Sequence, residues 1–209
     1  MRIGVFGGSY DPVHYGHLLV ADTALEAARL DRVLFVPTAQ SPFKPVGPVA
    51  RDRQRLEMLT LALAGNQQFE PCGLEIERQG TSYTIDTLRQ LHELHPNAEL
   101  FLIMGSDSAE QLDRWKDARQ ICQMAIPLVA ARRGTQFDPD RLSSLVDATR
   151  LDEIRKYVFE FPLIEISSSD VRTRLANRRS IRYRVPRSVE CYIENASLYQ
   201  STAATGTEL

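Results

Sequence analysis

The chain has 209 residues, 43% of them hydrophobic, and sets 25 Lys and Arg against 27 Asp and Glu for a formal net charge of −2; one sizeable core fits that length, and a charge so balanced excludes whole-molecule attraction of a polyanion, so any anionic ligand must be held by local groups. Three dispersed cysteines, Cys72, Cys122 and Cys191, form no CxxC pair for zinc or redox work and read as thiols in a reducing compartment. The opening MRIGVFGGSYDP lacks the pattern of a secretory leader, and no stretch reaches the ~20 apolar residues of a membrane span, so the expected location is cytoplasmic.

In chain order, Arg2 to Phe6 reads as a buried strand, GGSYDPVHYG as a turn, and His17 to Leu30 as a helix with Leu18, Ala21, Leu25 and Ala28 at helical spacing. The alternation continues with Arg32 to Val36 as strand, Arg51 to Ala64 as helix, Phe69 to Glu77 as strand, Ser82 to His95 as helix and Glu99 to Met104 as strand. Short helical pieces through Gln111 and from Asp117 to Gln123 precede an apolar strand, Ala125 to Ala131. Asp138 to Phe159 reads as helical in pieces, Pro162 to Ile166 as a last strand, and Ser168 to Asn177 and Pro186 to Asn195 as helices. This order predicts an α/β fold: a Rossmann-like, mainly parallel sheet with helices on both faces and a small helical C-terminal part. Residues 1–199 are expected as one domain, and the polar tail 200–209 as disordered.

Ligands of such sheets bind outside the carboxyl ends of the strands. The first such loop, GGSYDPVHYGH, leads straight into a helix. Gly7 and Gly8 are expected to admit a bound group closely and to adopt conformations closed to other residues, and the helix start offers free N–H groups to an anion. His14 and His17, three apart, fall on one side of that first turn; two imidazoles at a helix terminus suit polyphosphate oxygens, and no third ligand nearby supports zinc. Neither GxGxxG nor GxxxxGK[ST] is present. Near the other end, ISSSDVRTRL places Ser167, Ser168 and Arg172 at the start of a helix, where hydroxyls and a guanidinium can hold phosphate.

The first loop resembles the HxGH signature of the nucleotidyltransferase superfamily, and the second resembles its ISSTxxR motif. With FVPTAQSPFKP, GTSYTIDTL, FLIMGSDSAEQLDRW and IENASLY, the resemblance extends to bacterial nicotinate-mononucleotide adenylyltransferases over all but about the last ten residues. It implies transfer of AMP from ATP to nicotinate mononucleotide, giving deamido-NAD and pyrophosphate, with nicotinamide mononucleotide as the alternative acceptor and Mg²⁺ carried mainly by the ATP phosphates. His14, His17, Lys44 and Arg172 are the implied catalytic contacts. Gly7, Gly8, Ser9, Tyr10, Gly105, Asp107, Arg132, Ser167 and Ser168 join the histidines and Arg172 around ATP. Lys44, Ser82, Tyr83, Thr84 and Trp115 surround the mononucleotide, the indole stacking on the pyridine ring. Two positions depart from the family pattern: SPFK stands where PPHK is common, putting Phe43 in place of a histidine, and Lys116 follows the tryptophan where Tyr is frequent. A lysine there could favour the nicotinate carboxylate or face water. The acid-versus-amide choice stays open, as do a phosphopantetheine- or CTP-using transferase and a homo-oligomeric state.

His92 and His95 repeat the three-residue spacing but close a helix before Pro96, which gives them a structural reading. The arginine-dense stretch RTRLANRRSIRYRVPR, residues 172 to 187, invites an RNA reading. It is balanced by acids elsewhere and carries no RNA-reading motif, so phosphate ligands on a solvated helical face account for it and no nucleic-acid partner is expected.

Overall fold

The computed structural model describes residues 1–43, 46–131, 137–162 and 164–200, with the backbone alone of Arg132. Six strands form one sheet in the order β3-β2-β1-β4-β5-β6: β1 (Arg2–Gly8), β2 (Arg32–Pro37), β3 (Phe69–Pro71), β4 (Glu99–Gly105), β5 (Ala125–Arg132) and β6 (Val158–Phe161). Every pairing is parallel. The inner strands are buried without alternation, as strands covered on both faces must be: Ile3 to Phe6, Val33 to Val36 and Leu100 to Met104 are apolar or glycine throughout.

The chain winds outward from β1 through β2 to β3, then returns to β4 and winds the other way to β6. With right-handed crossovers this reversal puts helices on both faces and opens a crevice at the carboxyl ends of β1 and β4. The connecting helices are α1 (Tyr15–Ala27), α2 (Asp52–Leu63), α3 (Leu74–Arg78), α4 (Thr84–Leu94), α5 (Ser106–Ala109), α6 (Ala118–Met124) and α7 (Ala148–Arg155), with 3₁₀ turns at Leu112–Arg114 and Pro139–Leu142. The C-terminal part holds α8 (Ser168–Ala176) and α9 (Arg187–Asn195), and α9 packs on α2.

Two strand expectations need correction. Phe69 to Glu77 is not one strand: β3 stops at Pro71, and Leu74–Arg78 turns into α3. After Cys72, whose N–H donates to the Phe35 carbonyl, Gly73 opens the turn, and Glu75 and Glu77 suit the positive first turn of a helix. Nor is Pro162 to Ile166 the last strand. That strand is β6, which starts four residues earlier, within the end of the stretch expected to be helical, and runs past it, with Val158 to Phe161 beside Val129 to Arg132. Pro162 has no N–H with which to extend the ladder. The rest of 138–159 is helical in pieces, as expected.

All three cysteines are free thiols, and burial pushes Cys122 up to about 11, so it stays protonated and unreactive. His95 ends α4 with its N–H on the Leu91 carbonyl and its ring 3.5 Å from Arg32, consistent with a structural role. The expectation for the tail falls on residues outside those described, apart from Gln200. Among the described residues no helix is long and apolar enough to cross a membrane.

Candidate active site

Two adjoining cavities open at the crevice. The smaller, about 440 Å³, lies between the loop after β1 and the start of α8. The larger, about 750 Å³, lies over β1 and β4 against α4 and the Leu112–Arg114 turn. Gly8, Ser9, His17, Thr38 and Ser41 line both, so the two voids share one wall.

The loop after β1 is shaped by packing. A Cβ on Gly8 would sit 3.0 Å from the Tyr10 ring, and one on Gly16 would sit 3.0 Å from Nδ1 of His14. Gly7 and Gly105 instead border open space, where a Cβ would meet nothing within 4 Å; both line the larger cavity. Neither Gly7 nor Gly8 takes a positive φ, so what glycine supplies here is room, and the expected special backbone conformation is corrected. The left-handed residue of the loop is Tyr10, at φ 48°. Its ring is wholly buried, edge-on to His17 at 4.9 Å, and its hydroxyl donates to the Phe6 carbonyl. Burial pushes that phenol's pKa up, so it remains a donor. Tyr10 thus packs against His17 in the wall of the smaller cavity, with its hydroxyl proton committed to the Phe6 carbonyl.

His14 caps α1, and its ring stacks on that of His17 with centroids 3.7 Å apart. Only 6% exposed, it is held neutral by burial, which lowers its pKa to about 4. Its Nδ1 is buried with no hydrogen-bond partner. At neutral pH His14 is therefore a dipolar group at a helix terminus and carries no charge.

Opposite stands α8. Ser167 caps it by accepting the Asp170 N–H at 3.1 Å, while the Ser168 hydroxyl donates to the Pro12 carbonyl at 2.9 Å. Arg172 donates to the Asp11 carbonyl at 2.7 Å and to the Ser169 hydroxyl at 3.3 Å. His14, His17, Ser167, Ser168 and Arg172 therefore converge on the smaller cavity, and two helix N-termini border it. Dipoles and donors of this kind favour an anion there.

The larger cavity gathers Ser82, Tyr83, Thr84 and Trp115. Gly105 and Asp107, which the resemblance sets near the ribose of the nucleotide, also line this cavity, at the end of β4 and the start of α5. Trp115 is half-buried and faces the exposed ring of Phe43 at 6.2 Å. Lys116 lies over the Tyr83 ring at 4.4 Å and pairs with Asp86 of α4 at 3.4 Å, so its charge has a carboxylate partner. The Ser82 hydroxyl accepts the Ala39 N–H and ties the start of α4 to the loop after β2. Lys44 and the side chain of Arg132 lie outside the described residues.

Several site residues have no local sequence signal. Arg55, wholly buried in α2, donates to the Ser9 carbonyl at 2.7 Å and pairs with Asp52. The buried Asp11 carboxylate accepts the N–H groups of Val49 and Ala50 and the hydroxyl of Tyr199. Buried Glu75, on the unexpected helix α3, lines the larger cavity and accepts the Thr87 hydroxyl at 2.7 Å. Only Asp11 stood inside a recognisable motif, and its partners were not predictable from it.

The family described as Cytidylyltransferase-like matches residues 5–174. Over 200 residues the chain is 44% identical to the "Probable nicotinate-nucleotide adenylyltransferase" of Rhodopirellula baltica, covering 95% of this chain and 93% of that one. It is 43% identical over 200 residues to a protein of the same name from Thermus thermophilus, covering 96% and 100%. Among solved structures, the nicotinic acid mononucleotide adenylyltransferase of Plasmodium falciparum complexed with NaAD superposes with a TM-score of 0.73 at 20% identity, covering 95% of this chain and 97% of that one. At that identity the likeness speaks for the fold.

Proposed function

The chain belongs to the nicotinate-nucleotide adenylyltransferases, within the cytidylyltransferase-like family, and from that membership we propose that it transfers AMP from ATP to nicotinate mononucleotide, giving the deamido dinucleotide of NAD synthesis and pyrophosphate. The observation that carries this reading is the shared wall. A cavity edged by two helix N-termini, two imidazoles and Arg172 abuts one with an indole, a phenol ring and open glycines. The first suits a triphosphate and the second a pyridine nucleoside, and the reacting phosphates would meet between them.

In the reaction, an oxygen of the mononucleotide phosphate forms a bond to the α-phosphorus of ATP as the bond to the β-phosphate oxygen breaks. Pyrophosphate carries away the electron pair, and no protein nucleophile is required. The chain's contribution is positioning and charge stabilisation. Arg172 forks onto phosphate, His17 donates from its imidazole, neutral His14 adds a dipole, and the first turns of α1 and α8 present N–H groups. Trp115 holds the pyridine ring in the other cavity, and Lys44 completes the phosphate contacts.

Among the described residues no three His, Cys, Asp or Glu side chains gather as a metal cage. The donor set therefore suits a Mg²⁺ ion that arrives on the oxygens of ATP and water, where it would neutralise phosphate charge. A cytoplasmic location fits an enzyme supplied with ATP.

The test is a pyrophosphate-release screen with ATP or CTP against nicotinate mononucleotide, nicotinamide mononucleotide and phosphopantetheine. ATP with nicotinate mononucleotide should give the highest kcat/KM. Release with another pair, and none with this one, would overturn the assignment.

A further inference from the structure

The C-terminal segment reaches back to the loop after β1 through one side chain. Tyr199, at φ 60° and packed on the core, donates its hydroxyl to Oδ1 of Asp11 at 2.7 Å, across 188 positions of sequence. Asp11 is 3% exposed, so each of its oxygens needs a donor. Oδ1 receives Tyr199 and the Ala50 N–H at 3.0 Å. Oδ2 receives the Val49 N–H at 2.8 Å and lies 3.7 Å from Nη1 of Arg172. One carboxylate thus joins the loop after β1, the segment at 49–50, α8 and the chain's last described turn.

We infer that Tyr199 is a positioning residue of the triphosphate cavity, acting through Asp11 on Arg172. The inference rests on the reading above that this cavity holds ATP. With three uncharged donors on it, the carboxylate draws weakly on Arg172, which touches it only at 3.7 Å and bonds to the Asp11 main-chain carbonyl instead. The remaining guanidinium N–H groups are then available to a phosphate. Without the phenol, Oδ1 keeps a single donor in a buried site, and the guanidinium is the nearest cation that can compensate. Arg172 is pulled off the cavity, and the anchor of the 46–50 wall is rotated with it. The mononucleotide cavity contains neither Asp11 nor Tyr199 among its lining residues, so its affinity should not change.

Tyr199→Phe keeps the ring and removes only the donor. The expected result is a KM for ATP raised about five- to tenfold, with the KM for nicotinate mononucleotide within about twofold of wild type. In an Asp11→Asn background the same change should have little further effect, because residues acting through one partner are not additive. An unchanged KM for ATP, equal rises in both KM values, or a full effect in the Asp11→Asn background would each overturn the proposal; if Asp11→Asn does not fold, the split between the two KM values decides alone. Wild-type enzyme that releases no pyrophosphate from ATP would count against the assigned reaction, which separates the two failures.

Discussion

The main-chain N–H of His14 donates to Nδ1 of His17 at 3.3 Å, which makes that nitrogen an acceptor and places the proton of a neutral His17 ring on Nε2. The nitrogen able to donate to a phosphate oxygen is thereby selected by the cap of α1 itself. His17→Ala should lower kcat by about 10² to 10³, in line with the loss of one preorganised oxyanion donor. Steady-state pyrophosphate release from purified variant measures this, and near-normal turnover would remove His17 from the reaction.

His14 should make the protein sensitive to acid. In the unfolded chain it titrates near 6.5, and in the folded chain at about 4, because burial disfavours the imidazolium. Above pH 6.5 both states hold it neutral and it has no linkage effect. As pH falls through 6.5 the unfolded chain takes up a proton that the folded chain refuses, so stability drops until about pH 4, by about 3 kcal/mol in all. Thermal melts should show wild type losing Tm relative to His14→Gln between pH 6.5 and 4. Parallel curves would contradict the buried, neutral assignment.

Trp115 is the sole tryptophan of the chain, so its emission reports on one place. Titrating nicotinate mononucleotide should quench it, while ATP alone should leave it nearly unchanged. Trp115→Ala should raise the mononucleotide KM about threefold to tenfold, the worth of an aromatic stack. If the KM does not move, the ring stacks elsewhere.

Thr87→Val tests a contact in the wall of the larger cavity. Thr87 is 2% exposed and its hydroxyl donates to Glu75, itself 7% exposed. Valine keeps the shape and leaves a buried carboxylate oxygen without its donor, at a cost of about 1 to 3 kcal/mol. Urea unfolding should show a lower midpoint at unchanged slope. A midpoint equal to wild type would mean that Glu75 finds another donor.

The two loops that border the smaller cavity were readable from the sequence because each writes its pattern locally: glycines before paired histidines, and serines before a helix with an arginine one turn in. The α/β alternation was readable for the same reason, since periodicity is a short-range signal. Legibility failed where the deciding partner is remote. β6 is a strand because β5 offers it an edge, and no window around Val158 contains that fact. Arg55 sits in α2 like any helical arginine until Ser9 is folded against it. Glu75 was hidden by the strand expectation over 69–77, although Gly73 followed by acidic residues was an available hint of a helix start. Tyr199 closes the segment IENASLY, but nothing in that segment names its partner, because what it serves lies at the other end of the chain.

The wall common to the two voids has a kinetic corollary. On the proposed assignment each substrate fills one side of it, whereas the dinucleotide straddles both and gives up only the contacts to the β- and γ-phosphates, which leave as pyrophosphate; the contacts kept on one side raise the effective concentration of the other. On that assignment the product reaches into both voids of the empty enzyme at once. Its departure should set the pace of turnover, and deamido dinucleotide building up in solution should compete with ATP and with the mononucleotide alike.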